Sequence, residues 1–196
     1  MKIETYLSLV FLLLLFAYIV FRVIVKRDYR DHGQLSLFGS ALQLLVFCGF
    51  FSFPYLYNPP EWSWFWKQNG SIAPIFHVLG LGLICSGFFI AFGTMAWFGI
   101  GKAFGVRVKG LTRNGPYKKS RNPQILGGYL LVIGAFMQWP SLYGIGWILI
   151  YAIISHWMII SEEEHLSQVF GKDYENYCSE VPRYLFIPKI KKESST

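Results

Sequence analysis

LTRNGPYKKSRNPQILGG, residues 111–128, decides how this chain folds. Arg113, Lys118, Lys119 and Arg121 crowd into it with no acid among them, and Gly115, Pro116 and Pro123 punctuate the run. A soluble protein carries such loops routinely. Here the segment is flanked by long apolar runs, so it reads as a connector at the face of a bilayer.

Working outward, the composition supports a membrane protein. Hydrophobic residues make up 54% of the chain, aromatic residues 19% and charged residues only 15%, far from the balance of a soluble domain. The formal net charge of +7 sits in short segments next to apolar runs rather than along a soluble face. That pattern suits loops facing anionic lipid and argues against nucleic acid as a partner. Cys48, Cys85 and Cys178 form no closely spaced pair, and Cys48 and Cys85 read as small buried hydrophobes inside spans. His32, His77, His156 and His165 are scattered, so no metal site is expected. His156 and His165 could share a site with Glu162, or simply be polar residues at a helix end.

A bilayer core of about 30 Å takes about 20 helical residues. Thr5 to Val25, Ser36 to Tyr57 and Ala73 to Phe98 each supply such a run. Arg22 is expected to snorkel to the headgroups, and KRDYRDHG after it to lie in the cytoplasm. Asn58, Pro59 and Pro60 stop the second span. Trp62, Trp64, Phe65 and Trp66 follow as an interfacial anchor. Gly80, Gly82, Ser86 and Gly87 are expected to let the third span pack closely on a neighbour. After the connector, Gln124 to Met137 is too short to cross unaided. Gln138 to Ser141 make a turn, and Leu142 to Ile160 runs back. The expected architecture is all-α: a polytopic membrane helical bundle of about five transmembrane helices, including a short helical hairpin, with a cytoplasmic C-terminal helix. Basic segments 26–30, 102–121 and 172–192 then share the cytoplasmic side, and the amino terminus lies outside.

Glu162, Glu163 and Glu164 follow the last span directly. Acids at a helix C-terminus cost about 0.3–1 kcal/mol each. Two remedies present themselves: the helix continues to Phe170 and stops at Gly171, or the acids face the basic connector. Beyond it, Tyr174, Tyr177 and Val181 suggest a second amphipathic turn that Pro182 ends. Carboxylates beside a Gly/Pro-rich basic loop offer what a mixed-charge cofactor needs. A plain ion-pair latch would use the same residues.

GPYKKSRNPQILGG resembles the GPY-xxx-RHP-x-Y-x-G signature of the integral membrane methyltransferases that include the isoprenylcysteine carboxyl and phospholipid methyltransferases. EEEHLSQVFGKDYENYCSEVPR is similar to the second block of that superfamily, through Glu162, Glu163, Leu166, Phe170, Gly171, Tyr174, Tyr177, Val181 and Arg183. The two blocks divide the chain into transmembrane helices 1–3 at 1–98 and a methyltransferase-like core at 99–196. The resemblance implies S-adenosyl-L-methionine as methyl donor and a lipid-like or prenylated acceptor, carboxylate or amine. Tyr117, Arg121, Asn122, Pro123 and Gly127 would hold the cofactor, with Glu162 and Glu163 closing the pocket. Arg183 and Glu162 would take the catalytic part, Arg183 by orienting the acceptor.

Two positions depart from the signature: Asn122 stands where the family has His, and Ile125 where it has Tyr. Asn exchanges hydrogen bonds but does not titrate. These departures motivate a second reading, a non-catalytic membrane scaffold. Tyr177, Cys178, Ile187 and Pro188 motivate a third, a sterol-reductase-like, NADPH-dependent membrane reductase.

Overall fold

The computed structural model describes residues 2–57, 73–98 and 110–184. The aromatic cluster Trp62–Trp66, the connector before Gly110, and Ile187 and Pro188 lie outside the described residues. Six helices account for most of the rest. The first, α1, runs Ile3–His32, with a π-helical stretch at Ile19–Val25. Next come α2 at Leu37–Ser52, extended by the turn Pro54–Tyr57, and α3 at Pro74–Phe98. The hairpin is α4, Pro123–Gln138, and α5, Leu142–Phe170, and α6 is Lys172–Glu180. Among the described residues four helices are long and apolar enough to cross a membrane, and α4 is a shorter apolar fifth. A helical membrane bundle fits this inventory.

Local chemistry sets the ends. Ser36 and Ser141 cap α2 and α5, their hydroxyls accepting from Gly39 N and Gly144 N at 2.9 and 3.0 Å. The segment KRDYRDH is helical and continuous with α1, and stops only at Gly33 in a left-handed conformation, φ 65°. Its charges are arranged for a helix: Arg27 and Asp31, four apart, pair at 3.3 Å. Likewise α5 continues past its apolar stretch to Phe170. At 29 residues it is about 43 Å long, so the turns from Ser161 onward extend beyond a hydrocarbon core of about 30 Å.

The core joins α1, α2 and α5. Ala17, Val20, Phe21, Val46, Phe50 and Ile154 are fully enclosed. Trp147 stacks on Phe50 at 4.9 Å and donates its indole N–H to the Phe50 carbonyl at 3.0 Å. The second contact is α3 on α4, the most extensive among the described elements. Small residues make it possible: a Cβ on Gly127 would meet Ala91 N at 2.5 Å, and one on Gly134 would meet the Gly80 carbonyl at 2.6 Å. Gly82 faces open space and takes no part.

Two expectations need correction, and one open alternative is decided. Cys48 and Cys85 are exposed on the bundle surface, not buried, because apolar residues of a membrane helix face lipid as readily as protein. Arg22 does not snorkel. Its guanidinium donates to Ser161 Oγ at 3.2 Å and to Glu164 at 2.9 Å, while Ser161 donates to the Phe21 carbonyl at 2.8 Å. Lys26 completes this junction, 2.8 Å from Glu164. His156 and His165 share no site. Nine residues apart, they point to opposite sides of α5.

Candidate active site

The connector is held as a folded platform. Gly115–Lys118 forms one 3₁₀ turn. Gly115 has φ 60°, and a Cβ there would lie 2.8 Å from the Trp97 ring, so glycine is required twice over. The C-terminal segment then staples the platform down. Arg121 N donates to the Pro182 carbonyl at 3.0 Å, and Ser120 Oγ and Asn122 Nδ2 donate to the Arg183 carbonyl at 3.3 and 3.2 Å. Tyr177 donates its hydroxyl to the Tyr117 carbonyl at 2.8 Å, and Arg113 reaches the Asp173 carbonyl at 2.6 Å.

The acids divide their work. Glu163 sits between two guanidiniums: Arg121 Nη1 at 2.8 Å, and Arg183 through Nε at 3.1 Å and Nη2 at 2.5 Å. The fork of Arg183 on one carboxylate is the geometry in which Arg is strongest. Glu164 turns away to Arg22 and Lys26. Glu162 has no hydrogen bond or ion pair among the described residues. Burial first, then the neighbouring Glu163 charge, push its carboxyl up to about 7.

Glu162 faces a cavity of about 440 Å³. Its polar end is lined by Tyr117, Arg121, Asn122, Glu162 and Glu163. Its apolar end runs between the helices past Phe47, Phe92, Met95 and Leu131. Arg121 Nε is buried there without a partner. Burial raises Tyr117 and Tyr174 well above the usual phenol range and pushes Tyr177 up to about 12, so these rings keep their protons. The arrangement can receive a ligand that is cationic and aromatic at one end and greasy at the other.

Of the residues named from sequence, Tyr117, Arg121, Asn122, Glu162 and Glu163 line this cavity. Arg183 adjoins it through Glu163. Gly127 and Pro123 do not line it: Gly127 is spent on packing against α3, and Pro123 begins α4 with its ring toward a second groove. Asn122, 4% exposed, commits its amide N–H to the Arg183 carbonyl. At Ile125 the backbone carbonyl accepts from the Tyr151 hydroxyl at 3.2 Å, so a phenol from α5 enters the cavity beside the position where the signature has Tyr.

Sequence reasoning missed Tyr29 and considered His165 only together with His156. The Tyr29 and His165 rings stack at 4.2 Å with 7° between planes, and both line the cavity. His165 follows Glu162 by three residues, which puts the two on one helix face, and that spacing was the available signal. Burial holds His165 below the usual imidazole range, so it is neutral.

The model of the phospholipid methyltransferase family matches residues 75–173, half of the chain. The matched region includes the α3–α4 contact, the hairpin and all three glutamates. No curated protein and no solved structure matches significantly. The chain belongs to the phospholipid methyltransferase family of membrane methyltransferases.

Proposed function

We propose that this chain transfers a methyl group from S-adenosyl-L-methionine to a lipid-like or prenylated acceptor held in the apolar half of the cavity. The observation that carries the reading is Glu162: a half-buried carboxylate with no hydrogen bond or ion pair among the described residues, facing a cavity that also holds an unpartnered guanidinium nitrogen and several aromatic rings. A carboxylate drawn this far from bulk water is best matched by a counterpart, and a cofactor that is cationic at sulfur and amine fits it.

In this reading Glu162 takes the cationic part or the ribose hydroxyls, and Arg121 Nε donates to a carboxylate. Tyr117 and Asn122 complete the cofactor's walls. Glu163 fixes both arginines, and Arg183 orients the acceptor from that clamp. Pro123 and Gly127 contribute by setting the start of α4 against α3. When bound, the sulfonium supplies an electrophilic methyl group. The protein aligns the acceptor and excludes water. A carboxylate acceptor is ready as it stands, whereas an amine must first lose a proton, and neutral His165 lines the same cavity to receive it. The core assigned to 99–196 then draws in α3, whose glycines seat α4.

The reading places the protein as a multi-pass membrane protein with its amino terminus outside. The connector and C-terminal segment are cytoplasmic, because Arg22, Lys26, Arg121 and Arg183 gather at one end of the bundle.

The test is incubation of membranes containing the protein with cofactor labelled on its methyl group, followed by extraction. The expected result is label in a lipid or prenylated product, lost in folded Glu162→Gln and Arg121→Ala variants. Folded wild type that labels nothing overturns the proposal, and oxidation of NADPH in its place would favour the reductase reading.

A further inference from the structure

A second groove of about 610 Å³ opens on the other flank of α4. The cavity above uses Gln124, Ile125, Gly128 and Leu131, and the groove uses Leu126, Tyr129 and Leu130, on the opposite helix face. The Tyr129 and Tyr151 rings meet edge to face at 4.8 Å, with Tyr129 lining the groove and Tyr151 the cavity. The two compartments are therefore separate.

The groove is apolar except at one end, where Lys119, Ser120 and His156 line it. His156 is exposed on α5, five residues before Ser161 and so within the apolar stretch. An ionisable side chain facing lipid inside a span is costly unless something pairs with it. Among the described residues neither the His156 nor the Lys119 side chain has a hydrogen bond or ion pair, and no acid lines the groove. Helix geometry fixes the depth. Counting back from the hairpin turn at equal rise per residue, His156 is level with the first turn of α4, directly below the connector that carries Lys119. That is where lipid headgroups meet acyl chains.

We propose that this groove binds one anionic membrane phospholipid, its phosphate taken by Lys119 and His156 and an acyl chain laid along Ile90, Leu126 and Leu130. The lipid is bound beside the reaction cavity and is not the acceptor. The charge argument favours a net-anionic headgroup over a zwitterionic one, because the rim offers the Lys119 ammonium and no carboxylate to balance an ammonium.

Native mass spectrometry of the full chain, purified with equal dioleoylphosphatidylglycerol and dioleoylphosphatidylcholine, tests this without relying on catalysis. One phosphatidylglycerol per chain is expected. Retention should fall about fivefold in Lys119→Gln, what one basic side chain contributes at an anionic surface, and should also fall in His156→Ala, which removes the second donor. Leu130→Trp, which fills the groove without touching charge, should also release the lipid. Lys118→Gln removes the same charge outside the groove and should retain it. Equal retention of both lipids overturns the proposal, as does an effect of Lys118→Gln equal to that of Lys119→Gln. So does methylation of the retained lipid on adding labelled cofactor, which would make it the acceptor.

Discussion

Replacing Glu163 by Gln keeps the shape of the site and removes the charge that Arg121 and Arg183 share. The Arg121 and Glu163 side chains are 11% and 15% exposed, so this half of the clamp counts as largely buried. Stranding one member of a buried pair costs about 3–5 kcal/mol, and residual solvent access places this case at the low end, about 3 kcal/mol. The Arg183 side chain is 37% exposed. Its pairing belongs with surface bridges, about 0.2–1 kcal/mol. At about 2–4 °C per kcal/mol for a chain of this size, Glu163→Gln should lower the melting temperature in detergent by about 6–12 °C. Arg183→Gln should lower it by no more than about 4 °C on the same scale. Differential scanning fluorimetry of the purified variants reads both. The reasoning is refuted if the two variants shift equally, or if Glu163→Gln shifts the midpoint by less than Arg183→Gln.

The other predictions concern pH and packing. The Glu162 carboxyl titrates at about 7, raised above the ordinary carboxylate range by burial and by Glu163. Its ionised form is the one that holds a cation, so cofactor affinity should be full above that pH and lost below it. Between pH 8 and pH 6 the affinity should fall about tenfold, with the ionised fraction, and Glu162→Gln should flatten the profile as measured by equilibrium binding. Gly127→Val should destabilise the bundle by about 1–3 kcal/mol through overpacking against Ala91 and Gly87. Gly82→Ala, in open space, should stay within about 0.5 kcal/mol of wild type. Thermal unfolding of the pair checks the contrast.

Much of this architecture was legible because a bilayer imposes length. Three long apolar runs and a short hairpin follow from counting residues against the hydrocarbon thickness, and the helix carried on to Phe170 was one of two remedies for acids at its end. What the apolar runs could not report was which face meets protein. Cys48 and Cys85 looked internal because in a span both faces are greasy, and only the bundle decides which is covered. Arg22 looked like a snorkelling side chain because its partners, Ser161 and Glu164, lie about 140 residues away in sequence. In the site, the acidic and basic blocks were visible as local charge patterns. Tyr29 was hidden, because its ring meets His165 only after α1 packs on α5. Gly127 stood out inside a motif, and its close approach to α3 gives that glycine a packing reason of its own.

The central claim is that the cavity beside Glu162 binds S-adenosyl-L-methionine. Calorimetric titration of the cofactor into purified protein tests it most directly. The account predicts saturable binding at one site per chain, weakened at least about tenfold, or 1.4 kcal/mol, in Glu162→Gln and Arg121→Ala, with Lys118→Gln unchanged. Folded wild type that shows no saturable heat, or binding that Glu162→Gln leaves intact, would contradict it.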